Sequence, residues 1–278
     1  MAARITAALS VVLLLSFCST ATAGITGHLL VGNDQTNATI WQVDETGMSA
    51  ATARVTTNAV TWGMAFDPLS DTLYWNNGGS LFKAAYTPSG LLTPMLIGTL
   101  NIGGSNTNVT GMAFNETTNK LYGYRSISAP GFYEINPANA SMTAVFLTPS
   151  GSDFGGFDYD PVTNSFYGLN DGTGLSGRGL YKMGADISNP SFSLLTPYPG
   201  GETDIDGLAV GSNGKAYMVN DVPSQGIYVF DLGSSTYDPT LASPFTGNGI
   251  FASATWIPEP ATMCLLLGGL FGLRRRHR

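Results

Sequence analysis

Residues 63–74 read GMAFDPLSDTLY, and the same frame returns as GMAFNETTNKLY at 111–122, as GFDYDPVTNSFY at 156–167 and, more loosely, as GLAVGSNGKAY at 207–217. Each copy opens on glycine, alternates apolar residues, passes through a turn-forming centre and closes on tyrosine. That is the pattern of two short strands joined by a tight turn. The glycines stand 48, 45 and 51 residues apart, whereas the Gly-to-Tyr spacing holds at 11, 11, 11 and 10. A unit that is rigid inside and elastic between copies is a structural repeat with surface loops.

Working outward, each copy continues into a third strand with an aromatic or apolar centre: Leu81-Phe82-Lys83, Phe132-Tyr133-Glu134, Leu180-Tyr181-Lys182 and Ile227-Tyr228-Val229. A less regular fourth strand follows each. The N-terminal part supplies a fifth copy that lacks its first strand, with His28-Leu29-Leu30 and then Ile40-Trp41-Gln42. Gly249-Ile250-Phe251-Ala252, with Thr255, Trp256 and Ile257 after them, reads as the missing strand. Pairing the two ends would close a ring and remove the open edges of a linear array. The expected fold is therefore all-β: a five-bladed β-propeller of four-stranded blades over residues 24–257, its first blade closed by the C-terminal strand. A β-sandwich or β-solenoid is the competing architecture. The body resembles the broad propeller class that holds lactonase-like and NHL-like members but lacks their named motifs, so the resemblance implies no activity. Phe66, Phe114 and Tyr159, with Tyr74, Tyr122, Tyr167 and Tyr217, are expected to pack blade against blade.

Charge narrows the partners. Between Gly24 and Glu259 lie all 19 acidic residues against seven basic ones, a net charge of −12. Such a body disfavours nucleic acid and anionic membrane surfaces. Cys18 and Cys264, the two cysteines, fall outside it, so it has no disulfide, thiol nucleophile or thiolate metal site.

The chemistry of the body comes down to carboxylates. His28 is its one histidine, there is no nucleophile elbow, and no Walker, HExxH, EF-hand or dinucleotide motif is present. No catalytic or cofactor-binding residue is assigned. Asp153, Asp158 and Asp160 in one blade, and Glu202, Asp204 and Asp206 in the next, fall on or beside first strands, which line a propeller's channel. No metal site is assigned either, but Asp158, Asp160, Asp204 and Asp206 are the residues that would hold one, and Ca²⁺ is the ion they would suit. The competing reading is turn chemistry. Asp67-Pro68, Asp160-Pro161 and Asp238-Pro239 fit tight turns, and Asn33-Asp34, Asn170-Asp171 and Asn220-Asp221 fit blade hairpins. The glycine-rich stretch 172–179 reads as a flexible loop, and the sequons at Asn37, Asn108, Asn115 and Asn139 as incidental.

Both ends carry addresses. Arg4, the apolar stretch Ile5 to Phe17 and the small residues Ala21 to Ala23 form a secretory signal peptide over residues 1–23, with cleavage after Ala23 and before Gly24, the A-x-A site being Ala21 and Ala23. The far end, 258–278, orders three signals: the triplet Pro258, Glu259 and Pro260, an apolar segment 261–273, and a basic end 274–278 with Arg274, Arg275, Arg276 and Arg278. Thirteen helical residues cover roughly 20 Å, short of a ~30 Å hydrocarbon core. The arginines favour the cytoplasmic side, which leaves the rigid triplet outside and open to a protease.

That order resembles the PEP-CTERM sorting signal of bacterial exported proteins, a tail also labelled the C-terminal domain of ice-binding proteins. The resemblance implies a hydrophobic transmembrane helix at 261–273 that holds the protein briefly in the inner membrane. It further implies processing by signal peptidase and by an exosortase, a membrane protease that cuts near the triplet. Delivery to the cell envelope surface or the extracellular matrix would follow, in the setting of exopolysaccharide and biofilm systems. The function expected is a non-catalytic, exported surface or matrix protein whose propeller binds polysaccharide or an envelope protein. The alternative is an extracellular propeller hydrolase or lyase acting on polysaccharide through channel carboxylates.

Overall fold

The computed structural model describes residues 27–258. The signal peptide and its cleavage site, the apolar segment and the basic end lie outside the described residues, as do Glu259 and Pro260 of the triplet. Among the described residues no helix is long and apolar enough to cross a membrane.

The first blade contributes β1 (Gly27–Asn33), β2 (Ile40–Val43) and β3 (Thr52–Val55), and the second β4 (Gly63–Asp67), β5 (Thr72–Asn76), β6 (Ser80–Ala85) and β7 (Met95–Thr99). A two-residue hairpin, β8 (Asn101–Ile102) with β9 (Ser105–Asn106), leads into the third: β10 (Gly111–Asn115), β11 (Lys120–Arg125), β12 (Gly131–Ile135) and β13 (Met142–Leu147). The fourth has β14 (Phe154–Asp160), β15 (Ser165–Asn170), β16 (Gly179–Gly184) and β17 (Ser193–Pro197). The fifth has β18 (Gly207–Val210), β19 (Lys215–Val219), β20 (Ile227–Asp231) and β21 (Thr236–Leu241), and β22 (Ala252–Pro258) ends the described chain. Each of the five four-stranded sheets is an antiparallel meander, and the first runs β22-β1-β2-β3. Seven residue pairs, from Gly27 opposite Pro258 to Asn33 opposite Ala252, join the two ends of the chain. The protein is a five-bladed propeller closed by its C-terminal strand.

The repeated glycine has a steric cause. Innermost strands pack side by side around the axis, and a Cβ on Gly63 would stand 2.9 Å from the Met112 nitrogen, one on Gly111 2.7 Å from the Gly155 oxygen, and one on Gly156 2.8 Å from the Asp206 oxygen. These are contacts with backbone, which cannot swing aside. The aromatics fill the wedges between blades as expected: Tyr74 packs with Phe114, Tyr122 with Phe166, Tyr167 with Leu208, and Phe66 with Ile257 of the closing strand. Tyr217 stacks on Trp256 with ring centroids 5.6 Å apart and planes 7° from parallel. In every blade the register shifts once between the third strand and the outer one, a bulge that adds twist to the rim. Arg54, 1% exposed, donates to Gln42 Oε1 and to the carbonyls of Thr87, Pro88 and Gly90, tying blade two to the outside of blade one.

Two expectations shift. The closing strand begins at Ala252, three residues later than the Gly249-Ile250-Phe251 pattern indicates, because Asp34 Oδ1 accepts the Ile250 and Phe251 N–H groups and Phe251 stacks on Trp62 at 4.0 Å. Asp238-Pro239 is not a turn: both lie on the outer strand β21, where an edge tolerates proline and Asp238 pairs with Lys215 at 2.6 Å.

Candidate channel-face site

All five innermost strands run in one direction, so the channel has two distinct mouths. At the upper mouth they begin, and the loops that follow the second strands return. At the lower mouth they end.

The lower mouth combines rings with carboxylates. Phe66, Phe114, Tyr159, Val210 and Trp256, one from each blade, line a cavity there beside Asp158 and Glu116, with Pro258 at its rim. Burial, with the charges of Asp160 and Asp67, raises the Glu116 carboxyl. The first residue of the sorting triplet thus leaves the ring at this mouth. Two of the acids expected at a metal site are here and are structural. Asp158 Oδ2 accepts the Val210 N–H at 2.7 Å and Oδ1 the Tyr159 N–H at 2.9 Å, joining blades four and five. Burial pushes its carboxyl up to about 8, and those two N–H groups oppose the rise. Asp160 accepts Val162 N–H, Thr163 N–H and the Thr163 hydroxyl, as Asp67 does for Leu69 and Ser70 and Asn115 for Thr117 and Thr118. These are turn-capping side chains, as the turn reading expects.

The upper mouth is acidic. Asn33, Asn76 and Asn170 end their second strands buried, and Asn220 stands buried just past β19. The side chains of Asn76, Asn170 and Asn220 close the hairpin loops that follow, whereas Asn33 Nδ2 donates to the Gly247 carbonyl at 3.2 Å. Asn170, for instance, donates to the carbonyls of Gly172 and Gly177 and accepts the Asp153 N–H. The residues 172–179 expected to be a loose loop are therefore held, and a Cβ on Gly172 would meet the Gly151 oxygen at 2.0 Å. Behind these asparagines come Asp34, Asp171 and Asp221. Asp171 Oδ1 accepts the Tyr198 hydroxyl at 2.7 Å and the Ile205 N–H at 3.2 Å.

Asp171, Asp204 and Asp206 converge, each offering a carboxylate oxygen within 4.8 Å of the others. Asp204 is exposed, Asp171 half-buried and Asp206 buried. The structure brings two of the four expected acids together, carries Asp158 and Asp160 three and five residues further along β14 than Gly155, which faces Asp206, and adds Asp171. Asp171 arrives from the hairpin of the neighbouring blade. The signal that could have found it is the Asn-Asp dipeptide, which recurs after the second strand at 33–34, 170–171 and 220–221. Burial is the main force raising both inner carboxyls well above the usual range. At Asp206 the charges of Asp171, Asp204, Asp221 and Asp153 add to it; at Asp171 the Tyr198 and Ile205 hydrogen bonds oppose it. Asp204 is also raised by burial, and the Arg178 cation opposes that rise.

A few residues away the same mouth carries an aromatic step. Trp62 and Phe251, both half-buried, stack with planes 28° apart, and Ile250 beside them is 71% exposed. A Cβ on Gly78 would touch the Trp62 ring at 2.9 Å, so glycine lets the indole lie flat on the loop.

Fold and channel together define an acidic propeller tailed by a sorting sequence. Residues 257–278 match the PEP-CTERM protein-sorting motif, which implies an exported protein sorted by way of the membrane and processed by an exosortase, a membrane protease. No curated protein matches the chain. Among solved structures, a chain of the nidogen/laminin complex is similar at 16% identity and TM-score 0.57, over 84% of this chain and 98% of that one. A Bacteroides thetaiotaomicron protein of unknown function is similar at 14% identity and TM-score 0.51, covering 81% and 60%. A Xanthomonas campestris gluconolactonase is similar at 12% identity and TM-score 0.50, covering 85% and 88%. At these identities the likeness is one of fold.

Proposed function

We propose that this is a non-catalytic surface or matrix protein whose propeller binds polysaccharide at its upper mouth. The observation that carries the reading is the Trp62–Phe251 step beside carboxylates, on the face opposite the mouth from which the sorting triplet departs. A flat aromatic surface takes the apolar face of a sugar ring, and neighbouring carboxylates and asparagines accept its hydroxyls. While the chain is held by its C-terminal tail, that face points away from the point of attachment. One feature weighs against hydrolysis by Asp158 and Asp160: their oxygens are occupied by backbone N–H groups.

A glycan array probed with the exported protein, with the host's own exopolysaccharide among the ligands, tests this. Binding is expected, and Trp62→Ala should weaken it about 3–10-fold, the worth of one aromatic contact. Release of free sugars by the protein, abolished by Asp206→Asn, would replace binding with catalysis. Capture of an envelope protein by the same face, with every glycan silent, would replace the ligand.

A further inference from the structure

We propose that Asp171, Asp204 and Asp206 form a Ca²⁺ site that staples blade four to blade five across the upper mouth. The site does not rest on the polysaccharide reading.

Four observations converge. First, carboxylate oxygens from three residues lie within 4.8 Å of one another, the spread that oxygens placed about 2.4 Å from one central cation would show. Second, Asp206 Oδ2 is buried without a hydrogen-bond partner, on a residue only 4% exposed. A carboxylate oxygen removed from water needs a compensating group, and among the described residues none supplies a proton to it. Third, the pocket is cut to admit the carboxylates. A Cβ on Gly155 would stand 2.6 Å from Asp206 Oδ1 and 3.0 Å from Asp171 Oδ2, so the missing side chain leaves room for both to turn inward. Fourth, Asp171 is already oriented: Tyr198 and Ile205 occupy its Oδ1, which leaves Oδ2 on the side facing Asp206. Such outer hydrogen bonds are how metal sites fix their ligands.

The donor set selects the ion. It is oxygen only, which excludes a preference for zinc or copper and suits a hard cation. The ligands come from two separate loops, and exposed Asp204 can adjust its position. An irregular shell completed by water fits Ca²⁺ better than the strict octahedron of Mg²⁺. Asp153 and Asp221 add charge nearby, and Arg178, beside Asp204, opposes it. The rival occupant is a proton shared between Asp171 and Asp206, and it gives a different result.

The test uses the full exported protein, stripped with EDTA at pH 7 and followed by thermal unfolding and calorimetric titration at matched ionic strength. At Ca²⁺ a hundred times its Kd the Tm should rise by about 5–10 °C, and Mg²⁺ at the same concentration should move it less. Asp204→Asn, at an exposed position, should fold normally and bind Ca²⁺ at least tenfold more weakly. Asp206→Asn should lose the Ca²⁺ response while its Tm in EDTA stays equal to or above that of the parent, because a like charge has been removed. A parent Tm unchanged between EDTA and about 10 mM Ca²⁺, enough to saturate even weak extracellular sites, overturns the proposal. So does a rise that persists undiminished in both variants, which would be general screening of the acidic body. Loss of glycan binding with an intact Ca²⁺ isotherm would sink the polysaccharide reading alone.

Discussion

Replacing Trp256 by alanine probes the seam at which the two ends of the chain meet. The indole is 7% exposed, stacks on Tyr217 of blade five, donates through Nε1 to the Ser212 hydroxyl at 3.2 Å, and lies over Gly27 and Gly211, neither of which has room for a methyl group beneath it. It belongs to the closing strand but packs against blade five, so its removal opens a hole between the last and first blades. Truncating a buried Trp to Ala costs about 3–5 kcal/mol, and the tight glycine bed limits collapse into the space, which places this site toward the upper end. For a domain of this size each kcal/mol moves Tm by about 2–4 °C, so the drop should be about 6–20 °C. Trp62→Ala is the control. That ring is half-buried on the rim, and its loss should shift Tm by no more than a few degrees. The assay is calorimetry or fluorescence-monitored unfolding of both variants beside the parent. A Trp256→Ala drop under about 2 °C, or one no larger than that of Trp62→Ala, would refute the claim that this strand closes the ring.

Two further outcomes follow from the same geometry. Gly111→Ala drives a methyl group to within 2.7 Å of the Gly155 oxygen and should cost about 1–3 kcal/mol, whereas Gly79→Ala, with nothing within 4 Å, should be neutral to within about 0.5 kcal/mol in denaturant melts. The pH dependence has a definite sign in metal-free protein. Asp158, at about 8, and Asp171 and Asp206, well above the ordinary 3.8, bind protons more tightly folded than unfolded. Their contribution is complete below about pH 4 and is lost as pH rises toward 8, so Tm in EDTA should fall across that interval. Half-buried Asp44, held down at about 2 mainly by the Thr46 hydroxyl, acts in the opposite sense but only between about pH 2 and 4. A Tm in EDTA that climbs from pH 5 to pH 8 contradicts the burial of these three carboxyls.

The blades were legible because one steric demand, backbone against backbone around a narrow axis, wrote the same glycine at the start of blades two to five and the same aromatic two strands' width later. The closing strand was legible as a missing piece, but its start was not. Gly249-Ile250-Phe251 imitates the repeat, and only the three-dimensional meeting of Phe251 with Trp62 shows that this segment is a loop while Trp256 takes the interior position. The acidic site was half legible. Asp204 and Asp206 announce themselves by standing just ahead of an innermost strand. Asp158 and Asp160 look equivalent in sequence, yet three and five residues of β14, roughly 10 and 17 Å, separate them from Gly155 at the acidic site. Asp171 was hidden because a hairpin aspartate carries no mark of which neighbouring blade it will face.

What becomes of the chain beyond its last strand decides whether an exosortase processes it, and intact-mass spectrometry of the exported protein measures that directly. In cells with a functional exosortase, the mature species should end within the triplet that starts at Pro258, keeping the closing strand Ala252–Pro258 and lacking the segment with Arg274, Arg275, Arg276 and Arg278. Recovery of exported protein that still carries those arginines would contradict it.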